Sequence, residues 1–170
     1  MIVELALLLA GAQQETRQPL GRFMVCPGNA SCPRSSDGES GAVSPSLAPS
    51  YGTVSLNGGF TPDPRVVRLT SGGEVDAATL QPGCTGFVSR APDLRVTYRA
   101  DNLPLSFTAV GANVSLLINS PDGRWHCTPL SATGAAYRFA RPASGQYDIW
   151  VGAPRGAGGA AQLQISELEN

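Results

Sequence analysis

Apolar and polar residues alternate in short runs along most of this chain. The clearest run is Gln146-Tyr147-Asp148-Ile149-Trp150-Val151, launched by Pro142, Ser144 and Gly145 and stopped by Gly152 and Pro154. Tyr147, Ile149 and Val151 share one face, and Gln146, Asp148 and Trp150 share the other, which is the two-residue period of a strand. Asp148 sets a charge among apolar neighbours, and Trp150 needs cover on the face that should be wet. Similar runs predict strands at 53–56, 65–69, 74–77, 86–89, 94–99, 105–110, 114–118, 124–127, 136–139, 146–151 and 162–168. Turn signals separate them, among them Gly58-Gly59, Pro82-Gly83 and Pro121-Asp122-Gly123. In each, Pro sets φ, Gly permits positive φ, and Asp or Asn bonds its own turn. No window carries a helical period. Short strands at this spacing predict an all-β fold, an antiparallel β-sandwich of jelly-roll type over residues 51–170.

The N-terminal part breaks the pattern. Residues 1–12 hold a short apolar run, Leu5 to Ala12, ending in an Ala-x-Ala site. That is the h-region and cleavage site of a secretory signal, and it is too short to span a bilayer. It departs from the pattern in having Glu4 and no basic residue before the run. Residues 13–50 read as a flexible arm. Only 20–25 has the makings of a strand, and 33–50 is Ser, Gly, Pro and Ala with almost nothing to bury.

Charge narrows the partners. The formal net charge is −1, and the 12 basic residues are scattered and are all Arg. No basic patch exists to hold nucleic acid. The four cysteines are even in number and form no Cys-x-x-Cys pair, which suits an exported, disulfide-bonded chain. Three pairings are open. The short Cys26–Cys32 loop favours that local bond, leaving Cys84 with Cys127.

Candidate chemistry is sparse. His126 is the single histidine. No Gly-x-Ser-x-Gly elbow follows a strand, since Gly38-Glu39-Ser40-Gly41 lies in the arm. One histidine cannot assemble a zinc site with disulfide cysteines. Asp63, Asp93, Asp101, Asp122 and Asp148 are hard oxygen donors in or beside turns. Asp93, Asp122 and Asp148 are the calcium candidates, against the plainer reading that each Asp closes its own turn or, for Asp148, pairs with Arg95 or Arg138. Trp125 and Trp150 are candidates for binding a partner, against the plainer reading that they fill the core.

From Tyr51 to Leu168 the chain resembles a secreted β-domain of alphaproteobacteria, similar to the pre-peptidase C-terminal sandwich and often labelled as S1-peptidase-like. The residues that carry this are Phe60-Thr61-Pro62-Asp63-Pro64, Gly83-Cys84-Thr85-Gly86, Ala91-Pro92-Asp93-Leu94, Leu117 through Cys127, and Ser144 through Gly152. The resemblance implies a non-catalytic exported sandwich, a Cys84–Cys127 bond and a packing role at position 126, where relatives carry an aromatic. Relatives follow the second cysteine with a run of Asp, and here Thr128-Pro129-Leu130-Ser131 stands instead, which puts calcium in doubt at that loop.

The expected function is therefore a non-enzymatic, periplasmic or extracellular module that binds protein or envelope material. A carbohydrate- or calcium-binding accessory domain is the alternative, and a serine hydrolase ranks last. No cofactor is required, with calcium as the single candidate. No membrane span is expected after signal removal.

Overall fold

The computed structural model describes residues 41–168. The expected signal segment, the arm up to residue 40 and the Cys26–Cys32 loop lie outside the described residues. Eleven strands follow one another: β1 Thr53–Asn57, β2 Arg65–Thr70, β3 Val75–Asp76, β4 Phe87–Val88, β5 Leu94–Arg99, β6 Leu105–Val110, β7 Ser115–Asn119, β8 Trp125–Cys127, β9 Ala135–Phe139, β10 Gly145–Gly152 and β11 Ala160–Ser166. Each falls on a run read from the alternation, with ends moved by one or two residues. Between β3 and β4 a short 3-10 turn, Ala77–Thr79, is capped by Asp76, whose carboxylate accepts from Ala78 N at 3.0 Å.

The strands form an antiparallel sandwich. One sheet runs β1-β5-β10-β7-β8 and the other β2-β11-β6-β9, with β3-β4 as a separate small ribbon. The exception to antiparallel pairing is β1, which lies parallel to β5. The chain crosses between sheets at most connections, the habit of jelly-roll-like folds. The main core lies between the sheets, where the alternation sends Val96, Tyr98, Phe107, Ile118, Tyr147, Ile149, Val151, Leu163 and Ile165. A polar latch also joins them. Tyr98 of β5 donates to the buried Glu167 just after β11, and Glu167 Oε2 accepts from Gly59 N at 2.8 Å.

The outer face of the five-stranded sheet carries a second core. Trp150, Leu117 and Cys127 lie side by side across β10, β7 and β8, and the β3–β4 region packs over them with Ala77, Cys84, Val88 and Val43. A disulfide between Cys84 and Cys127 ties this cap to the sheet. The four-stranded sheet instead faces outward with polar positions such as Arg68, Gln162, Gln164 and Thr108.

Residues 41–50, read from composition as arm, lie against the sandwich. Ser44 N donates to Arg90 O at 2.9 Å, and Ser50 N and Tyr51 N donate to Pro92 O and Asp93 O, each at 2.8 Å. Val43 is buried in the cap. Backbone hydrogen bonding fixes this segment, and that contribution leaves no mark in a side-chain pattern.

Candidate functional site

The β7–β8 hairpin turns through Ser120-Pro121-Asp122-Gly123-Arg124. Pro sits second in the turn, and Gly123 follows with φ 78, where any side chain would be strained. The turn is closed by Gly123 N to Ser120 O at 2.8 Å and Ser120 N to Arg124 O at 3.0 Å. Asp122 accepts from Ser120 Oγ at 2.6 Å and forms an exposed ion pair with Arg124 at 3.3 Å. The Ser120 hydrogen bond holds its carboxyl below the usual range.

The same hairpin places His126 opposite Ile118, on the face directed between the sheets. Because β8 and β9 are edge strands of the two sheets, His126 reaches Tyr137 and Phe139 across the open side, with ring centroids 5.0 and 4.9 Å away. Its Nε2 lies 2.9 Å from Ser120 Oγ and its Nδ1 2.7 Å from Tyr137 Oη. Burial lowers the His126 pKa, and the nearby Arg124 adds to this against an opposing pull from Asp122.

The proton inventory decides what this cluster can do. Ser120 Oγ carries one proton. Its neighbours Asp122 Oδ1 and Arg124 O, at 2.6 and 3.1 Å, only accept, so the proton points to them. Nε2 of the neutral imidazole is then the N–H that donates to Ser120 Oγ, and the bare Nδ1 accepts from Tyr137. This tautomer is assigned from the network. A serine nucleophile needs the reverse: Nε2 bare to take the hydroxyl proton, and Nδ1–H oriented by an acid. Here the acid holds the serine, and a phenol holds the histidine. Ser120 is also buried.

Beside this cluster the β7–β8 and β9–β10 turns flank a half-open cavity of about 130 Å³, lined by the rings of His126, Phe139 and Tyr147 and by Arg124 and Arg141. The turns touch, since a Cβ on Gly145 would meet Pro121 at 2.7 Å, and Tyr147 Oη donates to Ala143 O at 2.8 Å. A larger depression of about 500 Å³ lies near Gly41, Glu74, Thr79 and Arg90, and no aromatic side chain lines it.

The other candidates are dispersed. Asp93 accepts from Val151 N at 2.7 Å and from Ser89 Oγ at 3.3 Å, and burial pushes its pKa up to about 7. Asp148 pairs with Arg95 at 2.6 Å, opposite it in the strand register, and takes a second bond from Gln146 at 2.7 Å. Arg95 also donates to the carbonyls of Pro45 and Leu47. Asp93 and Asp148 thus anchor backbone and a loop, and Asp122 shapes its turn. Among the described residues no three His, Cys, Asp or Glu side chains form a group able to hold a metal ion. The expectation that Trp150 meets a partner is corrected: it is 0% exposed, because the β3–β4 cap covers it, and it packs against the half-buried Trp125 with ring centroids 5.4 Å apart and planes tilted by 47°.

Ser120, Arg141 and Tyr147 carry no sequence signal that marks them as site residues, whereas Tyr137 stands with Tyr98, Trp125 and Trp150 among the aromatics that could stack a sugar or meet a partner. A Pro-Asp-Gly hairpin between Ser120 and His126 hints that those two approach each other. Nothing local hints that β9 lies across from β8. No protein-family model matches the chain, and no curated protein matches it. Among the described residues no helix is long and apolar enough to cross a membrane.

Proposed function

We propose that the chain is a non-enzymatic, exported recognition module that binds envelope material or protein through the turn-end cavity beside His126. The observation that carries this is the placing of the acid: Asp122 Oδ1 lies 2.6 Å from Ser120 Oγ, while Nδ1 of His126 faces the Tyr137 hydroxyl at 2.7 Å. In the tautomer this network favours, Nε2 carries the proton and has no lone pair to accept the serine proton, so the one serine–histidine contact among the described residues acts as a structural tie. The hollow of about 130 Å³ is small, and it sets one partly exposed aromatic ring beside a few polar and charged groups, which suits a shallow recognition contact rather than an enclosed substrate pocket. The Cys84–Cys127 bond supports an oxidising compartment, periplasmic or extracellular. The resemblance read in the sequence motifs to pre-peptidase C-terminal sandwiches would imply the same non-catalytic reading.

The test is treatment of the native protein with a fluorophosphonate probe, followed by peptide mapping. The expected result is no adduct on Ser120. A stoichiometric Ser120 adduct that is lost in His126→Ala overturns the non-enzymatic reading.

A further inference from the structure

We propose that the cavity between the β7–β8 and β9–β10 turns binds one carboxylated sugar unit, a uronic acid, whose carboxylate pairs with Arg141. The inference rests on the binding-module reading and names the ligand class of that same site. Charge is the first argument. Arg141 is exposed and makes no ion pair or hydrogen bond with other described residues, whereas Arg124 is already paired with Asp122. Two guanidinium groups against one carboxylate leave the site cationic. A free guanidinium offers the planar, two-pronged donor set that a carboxylate matches.

The lining is the second argument. Phe139, half-buried with Tyr147 packed behind it, presents an apolar ring edge that a bare inorganic anion would leave uncovered and that the C–H face of a pyranose would cover. A half-open volume of about 130 Å³ takes the carboxylate end and one face of a single ring, with the rest of the ring in solvent. Asp122 is the third argument. Its exposed carboxylate suits ligand hydroxyls as donors and opposes a dianionic phosphate.

The full chain is titrated with galacturonic acid, galactose and N-acetylphenylalanine, following the His126, Phe139 and Tyr147 ring resonances. Galacturonic acid should give saturable shifts and galactose none. Arg141→Ala should weaken galacturonic acid binding at least tenfold, and Arg155→Ala, which removes a guanidinium stacked on Phe87 elsewhere, should leave it unchanged. The proposal is overturned by no saturable shift, by galactose or N-acetylphenylalanine binding as tightly, or by an Arg141→Ala variant that binds as well as the parent. Retention of envelope material without galacturonate binding removes this ligand assignment alone. A Ser120 adduct removes the reading beneath it.

Discussion

His126 and Tyr137 share a 2.7 Å hydrogen bond between the edge strands of opposite sheets. The bond closes the sandwich on its β8–β9 side with a polar contact inside an aromatic cluster. Tyr137→Phe removes the donor and leaves Nδ1 of a half-buried ring unpartnered. A loss of about 1–2 kcal/mol in urea unfolding is expected. An unchanged midpoint would show that the contact contributes nothing.

His126 also sets a dependence on acid. Its pKa in the folded chain is depressed, so between the ordinary histidine value and the lower folded value the unfolded chain binds more protons. Its contribution is present above about pH 6.5 and is lost as the pH falls through the folded value. His126→Phe should flatten this acid-side loss. Equal slopes for parent and variant between pH 7 and pH 5 would refute it.

Asp93 acts in the opposite sense. Burial raises its folded pKa to about 7, so the folded chain holds a proton that the unfolded chain has released. Its contribution is full below the unfolded value and is lost as the pH rises to about 7, a change of at most about 4 kcal/mol. Asp93→Asn keeps an acceptor for Val151 N and cannot ionise. Relative to the parent, the variant should gain stability from pH 5 to pH 8 in urea unfolding. A constant difference across that range would contradict the assignment.

Asp148→Ala strands Arg95, whose side chain is 18% exposed and whose other bonds go to the Pro45 and Leu47 carbonyls. Removing one partner of a largely buried pair costs about 3–5 kcal/mol. Segment 44–50 should also become more open to proteolysis, read by limited digestion. A fully protected segment in a destabilised variant would mean that Arg95 needs no counter-charge to hold it.

Much of this architecture was legible in the alternation. Tyr147, Ile149 and Val151 face the main core because a two-residue period leaves them no other side once one of them is buried. The same period placed Asp148 and Trp150 together on the far face without saying what lies there. Their cover comes from β3, β4 and residues 43–47, brought in by backbone hydrogen bonds, a guanidinium and the Cys84–Cys127 bond, all of long sequence separation. The candidate site was harder to read for the same reason. Ser120 and His126 meet through a local hairpin, but Tyr137, Phe139 and Arg141 join them by the pairing order of two sheets, which no short motif encodes.

The cap gives the molecule two optical compartments. Both tryptophans of the chain, Trp125 and Trp150, belong to the layer under β3–β4, whereas Tyr98 and Tyr147 lie between the main sheets. Indole emission therefore follows the docking of the cap, and the near-ultraviolet tyrosine signal adds the sandwich beneath it. Reducing the Cys84–Cys127 bond would red-shift the emission if the cap lifts while the sheets stay packed, separating two transitions that a backbone signal would merge.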